Sequence, residues 1–299
     1  MDMLRDISWE AVNAFAVFAQ DGNFTRAARR LNLSQPALHS KIGNLARKLQ
    51  IPLYVRRGRR IEITDAGRRV ERFARELREQ AASFEAELLG THSESTVVLS
   101  AGEGSYLYLL GPGIRTFRAE SRGPLRLETA GAESSVEAVL SARAHLGVAS
   151  LETIPSGLIA QPLTRVGQVL AMPTRSALAR HRAISLTALR GADLIVPPVG
   201  RPHRLIIAQT LQSAKVEWQV AVEASGWELM LHFVRLGLGL AIVNACCRPP
   251  KGVATRPIPE LPSVQYHVFH LPRPLPDRVS RLRSALLSRA DDWKRGASK

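Results

Sequence analysis

Apolar residues return every three or four positions through Trp9, Val12, Phe15, Phe18 and Ala19, so an amphipathic helix is predicted there, with Ser8 as its cap. Asp21-Gly22-Asn23 breaks that pattern. A second helix of barely two turns is expected from a Thr25 cap, carrying Ala27, Ala28 and Leu31 inward. A third opens at Ser34, with Pro36 in its first turn, where a missing N–H costs little. Its inward stripe is Leu38, Ile42, Leu45 and Leu49. Two short helices joined by a tight turn, the second polar outside, form a helix-turn-helix. Next, Leu53-Tyr54-Val55 and Ile61-Glu62-Ile63 flank the basic tip Arg56-Arg57-Gly58-Arg59-Arg60, which predicts a small β-hairpin, or wing.

From Thr64 the pattern is helical again to about Leu89. Val70, Phe73, Leu77, Ala81, Phe84 and Leu88 form a narrow apolar seam opposite a charged face. A seam that narrow on so long a helix calls for a second helix. Val70, Phe73, Leu77, Phe84 and Leu88 are therefore expected to mediate self-association. Residues 90–95 are small and polar, a linker. Beyond them short apolar runs alternate with helical segments. Strands are predicted at 97–99, 125–127, 146–149, 169–172, 194–196, 220–222, 240–243 and 266–271, with helices near 106–117, 136–140, 205–211, 227–236 and 277–289. Such alternation predicts α/β units with parallel sheets covered on both faces. The fold class is thus α/β behind an all-α, winged N-terminal unit. The expected domains are 1–67, a linker helix 68–90, and 94–299, whose first lobe takes 94–163 and 268–299 and whose second takes 164–267.

Charge narrows the class of partner. Lys and Arg number 41 against 26 Asp and Glu, a net charge of +15. A codon bias toward arginine could raise the total, but it would not empty residues 22–61 of every acid while leaving ten bases there: Arg26, Arg29, Arg30, Lys41, Arg47, Lys48, Arg56, Arg57, Arg59 and Arg60. That distribution favours nucleic acid. The first residues lack the basic start and apolar core of a secretory signal, and no run is long enough to span a bilayer, so a cytoplasmic location without membrane contact is expected. The two cysteines, Cys246 and Cys247, are adjacent, which suits neither a stapling disulfide nor a zinc site; they read as small buried apolar residues. The sequence offers no Gly-rich phosphate loop, no nucleophile elbow and no metal-ligand cluster, so neither an enzyme nor a cofactor is expected.

The run Phe24-Thr25-Arg26-Ala27-Ala28 to Leu31-Asn32-Leu33-Ser34-Gln35-Pro36-Ala37-Leu38 resembles the N-terminal signature of LysR-type transcriptional regulators. So does the stretch from Leu53-Tyr54-Val55 through the basic tip to Thr64-Asp65-Ala66-Gly67. Together they cover most of residues 9–67. Downstream the likeness is looser, resting on the two sets of strands and on Val234-Arg235-Leu236-Gly237-Leu238-Gly239-Leu240-Ala241. His39 stands where the family mostly has serine, Ala46 where it favours glutamate and Gln50 where it favours glycine.

The resemblance implies a winged helix-turn-helix, a linker helix and two α/β lobes like those of periplasmic binding proteins. The partners it implies are double-stranded promoter DNA, a small-molecule effector, RNA polymerase and further copies of the chain, as dimers of dimers. Lobe crossings are expected near 163–167 and 264–268.

On the outward face of the third helix, Gln35 can pair with adenine, and Pro36 or Ala37 can rest on a thymine methyl. His39 and Ser40 share that face. Thr25 and Ser34, at helix starts, can meet phosphates, and Arg56, Arg57, Arg59 and Arg60 suit phosphates or a narrow minor groove. Ligands of paired lobes sit at strand carboxyl ends, which nominates Gly102, Ser105, Gly131, Ser150, Gly200, Arg201 and Ser225. Ser105 is expected to head a helix, and Arg201, His203 and Arg204 to add positive charge, so an anionic effector is expected. Glu103 stands against that, and a plain basic surface loop is the alternative. A DNA-architectural or recombination accessory protein would share the basic winged helix but has no need of two sensing lobes.

Overall fold

The computed structural model describes residues 7–58, 60–88 and 96–296. Contacts divide the chain into two compact units: the N-terminal residues with 123–126 and 137–144, and the remainder.

In the first unit, helix α1 (Trp9–Asp21) buries Val12, Phe15 and Phe18 completely or nearly so. Ser8 starts it through its carbonyl, which accepts from Ala11 N at 3.0 Å, and its side chain makes no capping bond. Trp9, expected inside, is 39% exposed because it precedes the turn that reaches the core. Helix α2 (Phe24–Arg30) starts earlier than its pattern predicts. Phe24 stacks on Phe18 at 4.0 Å, which fixes the first helical residue, and Asn23 Oδ1 then caps Arg26 N at 3.1 Å in place of Thr25.

Helix α3 (Gln35–Leu49) begins as expected, with Ser34 Oγ accepting from Ala37 N at 3.3 Å, and it buries Leu38, Ile42 and Leu45. The wing is the antiparallel pair β1 (Tyr54–Arg57) and β2 (Arg60–Ile63), with Tyr54 opposite Ile63 and Arg57 opposite Arg60. Helix α4 (Asp65–Leu88) follows. Thr64 Oγ1 accepts from Gly67 N at 3.0 Å and donates to Pro52 O at 2.7 Å. A side chain at Gly67 would place its Cβ 2.1 Å from Leu53 O, so only glycine lets α4 lie this close to the wing strand. Ala66, Val70 and Ala74, four apart, turn toward α1 and close this core. Val70, assigned to the self-association seam, therefore serves the intrachain core. Phe73 is 54% exposed and Leu77 is half-buried. The side chains of Phe84 and Leu88 lie outside the described residues.

Beyond α4 the described residues form two five-stranded sheets. The first is built from β3 (Val97–Ala101), β4 (Leu125–Thr129), β5 (Leu146–Ser150), β6 (Ile159–Val166) and a late strand, Val264–His270. Helical turns at Glu103–Ser105 (α5), a π turn at Tyr106–Leu110, and Gly111–Glu120 (α6) follow β3, and Ala132–Leu140 (α7) follows β4. The second sheet contains β7 (Gln168–Pro173), β8 (Ala192–Val196), β9 (Trp218–Glu223), β10 (Leu240–Asn244) and β11 (Val253–Pro257). Helices α8 (Pro202–Ser213) and α9 (Trp227–Arg235) lie between its strands in sequence. The late strand is β12, and α10 (Asp277–Ser288) and α11 (Asp292–Gly296) end the described chain.

The sheets are mixed, which corrects the parallel expectation. In each, the strand made after a crossing runs against its neighbours: β12 is antiparallel to β5 and β6, and β7 to β10 and β11. Two strands escaped the periodicity, β6 and β11. Both are sheet edges with proline in them, Pro162 and Pro257, and both alternate poorly. Proline lacks a ladder donor and is tolerated at edges; opposite Pro162 the register slips between Tyr266 and His267.

Helix α3 ends on Gln50 at φ 55, the left-handed conformation that glycine adopts without strain. Gln50 is exposed, so a substitution there tests backbone conformation with little change in packing. Gln50→Gly should raise unfolding free energy by about 0.5–1 kcal/mol, read as a higher urea midpoint at unchanged slope. A lower midpoint would show that the side chain matters more than the strain.

Candidate nucleic-acid interface and effector cleft

Gln35, Pro36, Ala37, His39 and Ser40 are all exposed on α3, while Leu38 among them is buried. Thr25 on α2 faces the same turn, and its hydroxyl donates to Gln35 Oε1 at 3.2 Å. That proton is thus committed to Gln35, not left for a phosphate as the helix-start reading expected. Ser34 Oγ accepts the Ala37 amide and keeps its own proton.

An aromatic series runs outward from the core to this face. Tyr54 lies edge-on to Phe18 and Phe24, with centroids 5.3 and 5.6 Å away. His39 sits 5.1 Å from the Phe24 ring, and its Nε2 is 3.4 Å from the Tyr54 hydroxyl. His39 therefore connects α3 to the first wing residue. Sequence reasoning missed Tyr54 in that role, although strand alternation already separates it from its neighbour Val55.

The basic stretch is partly balanced from outside itself. Asp21 accepts from Arg30 at 2.9 Å and lies 3.4 Å from Arg26 Nε, and Glu10 meets Lys41 at 2.6 Å. On the wing Arg56 and Arg57 are exposed, and Arg57 Nε is 3.3 Å from Glu62. Arg59 and the Arg60 side chain lie outside the described residues. The lysine ammonium beside Glu10 holds that carboxyl below its ordinary range.

In the lobes, the carboxyl end of β3 meets the start of α9. A side chain at Gly104 would put its Cβ 2.7 Å from Trp227 Cδ1, and Tyr108 donates its hydroxyl to Glu228 Oε1 at 2.7 Å. Burial, then that carboxylate, push the Tyr108 phenol up. A Cβ at Gly226 would meet Glu103 Oε2 at 3.5 Å. Segment 102–105 thus faces segment 225–228.

Several expected features differ. Helix α5 begins at Glu103, so Ser105 does not head it; Ser105 is buried, and its N–H is donated to Gly102 O at 3.0 Å. Gly131 is exposed and precedes α7; Ser150 is half-buried and pairs with Tyr266 across β5 and β12. Gly200 adopts φ 84, Arg201 is the exposed residue before α8, and Ser225 is exposed. His203 adds no charge: its Nε2 lies 2.9 Å from Ile242 O, its ring meets Trp227 edge-on at 4.6 Å, and burial lowers its pKa to about 4. Arg204 lies 4.9 Å over the Trp218 ring and is half-buried. Of the three, Arg201 alone is exposed.

Sequence reasoning also missed the polar groups gathered around the cysteines. Asn244 Nδ2 donates to the Tyr266 hydroxyl at 2.9 Å, and burial pushes up the phenol of Tyr266 and the thiol of Cys247. Cys246 and Cys247 are unpaired and buried, as their reading as small apolar residues expected. Among the described residues no helix is long and apolar enough to cross a membrane.

The comparisons agree with this architecture of a DNA-reading winged helix followed by paired sensing lobes. Residues 9–68 match the model of the bacterial regulatory helix-turn-helix protein, lysR family, and residues 90–291 that of the LysR substrate binding domain. The chain belongs to the LysR family of transcription regulators, and it is no enzyme but a DNA-binding regulator under effector control. It is 26% identical over 244 residues to the uncharacterized HTH-type transcriptional regulator YbhD of Escherichia coli, covering 80% of this chain and 76% of that one. It is 25% identical to the RuBisCO operon transcriptional regulator of Allochromatium vinosum, covering 80% of both. Full-length OxyR from Pseudomonas aeruginosa, solved as a cysteine-to-aspartate variant, shares the fold with a TM-score of 0.69 at 19% identity, covering 93% of this chain and 97% of that one.

The half-buried, neutral His203 makes stability depend on pH. Its folded pKa, about 4, lies below the ordinary 6.5, so its contribution is full above pH 6.5 and is lost as pH falls toward 4. Denaturant melts at pH 7 and pH 5 should show a loss on acidification of about 2 kcal/mol from this group. His203→Gln should remove most of that difference; an equal loss in the variant would place the acid sensitivity elsewhere.

Proposed function

We propose that this regulator reads promoter DNA with the N-terminal turn of α3 and the arginine-rich wing, using residues 1–67. Residues 68–90 would join copies into dimers, and dimers into tetramers, through Phe73, Leu77, Phe84 and Leu88. Residues 94–299 would sense a small polar metabolite, and the DNA-bound form would act on RNA polymerase in the cytoplasm. The metabolite would sit between the segments at Gly102 and Ser105 and at Ser225, with Gly131, Ser150 and Gly200 at the rim. One anionic group on it would meet Arg201. Glu103 and Glu228 at the same rim oppose a ligand that carries only negative charge, so a donor group beside the anion suits the site better.

The observation that carries this reading is the meeting of the β3 carboxyl end with the start of α9. It gives a ligand two surfaces to draw together, and a ligand shifts such an equilibrium only by its differential affinity for the two states. The expected response is an altered footprint, not release from DNA.

A thermal-shift screen of polar metabolites on the full chain tests it, repeated with Arg201→Ala. A charged hydrogen bond contributes about 1.5–3 kcal/mol, so the variant should bind a confirmed ligand about ten-fold or more weakly. A ligand whose affinity ignores both Ser105→Ala and Arg201→Ala would sink the site assignment.

A further inference from the structure

Thr25 and Gln35 belong to different helices, and their side chains meet in the open, at the first turns of α2 and α3. The bond between them is directional: Thr25 Oγ1 donates and Gln35 Oε1 accepts, at 3.2 Å. A glutamine amide has an acceptor end and a donor end, and an isolated one presents either by turning over. Thr25 takes one of the two Oε1 lone pairs and so turns the acceptor end toward itself, which leaves the donor end facing outward.

We propose that Thr25 is a positioning residue that holds the Gln35 amide with its Nε2 hydrogens toward the major groove, so that Gln35 selects guanine. The proposal rests on the reading of the α3 N-terminal turn as the base-reading edge. Guanine presents two acceptors in the major groove, N7 and O6, matching two N–H donors. Adenine presents N7 beside the N6 amino group, and that donor would need Oε1, which the bond to Thr25 holds turned away from the groove. Thymine offers a single acceptor, O4, and cytosine offers only the N4 donor. The adenine pairing that glutamine makes when unrestrained is thereby disfavoured.

Two features let this bond act. Asn23, not Thr25, caps α2 through the Arg26 amide, so the Thr25 hydroxyl is released from capping. The Ala37 amide is taken by Ser34, so α3 keeps its start whatever residue stands at 25.

The test is selection of bound duplexes from a randomised pool, using the full-length protein and its T25V, T25S and Q35A variants. The wild type should favour guanine over adenine about ten-fold at one position per half-site. T25V, nearly isosteric but without the hydroxyl, should move that position toward adenine, whereas T25S should keep guanine. Q35A should lose the preference there and leave other positions alone. A merely structural role for Thr25 predicts a different result, in which T25V weakens every sequence alike with base preference intact. That outcome, with Q35A relaxed as expected, overturns the inference alone. An unchanged Q35A preference overturns the interface reading and the inference with it.

Discussion

Phe15 and Phe18, completely buried on α1, are the contact on which the DNA-reading half depends. Phe18 receives Phe24 from α2 and Tyr54 from the wing, while α1 also packs on α3 and α4. Burying an aromatic side chain of this size stabilises by about 2–3 kcal/mol, but here the geometry matters as much as the energy. One ring pair fixes where α2 starts, and so sets Thr25 opposite Gln35. It also orders Tyr54, on which His39 rests. The apolar core thus dictates the orientation of polar groups at the surface.

Electrostatics work on the same surface at longer range. An acid-free run of forty residues would repel itself if it were unbalanced, and Asp21 and Glu62 at its edges, with Glu10 on α1, relieve that. Exposed ion pairs of this kind add little stability. Their effect is to hold Arg26, Arg30, Lys41 and Arg57 in place on this basic surface.

Legibility from sequence followed periodicity. Leu38, Ile42 and Leu45 on α3, and the alternating wing, were readable because one face of each packs on the core, partly in the wing, while the other is wet. β6 and β11 were not, since edge strands with Pro162 and Pro257 neither alternate nor form a continuous apolar run. Caps were readable only where one candidate stood alone: Ser34 was correct, whereas Asn23 displaced Thr25 because Phe24 had to enter the core. The proposed effector site was the least legible part. Strand carboxyl ends named its segments, but Tyr108, Trp227 and Glu228 meet through tertiary contacts that no local pattern encodes. His203 looked cationic beside two arginines, and only its partial desolvation against Trp227 and the Ile242 carbonyl makes it neutral.

The central claim is that a shaped helix start, and not charge alone, gives this basic surface its sequence preference. The most direct measurement is fluorescence anisotropy of the full chain on a selected operator and on a shuffled duplex, between about 50 and 200 mM salt. The account predicts steep losses of affinity with salt for both duplexes, with the operator bound about a thousand-fold or more tightly throughout. Equal affinities for the two duplexes at every salt concentration would contradict it.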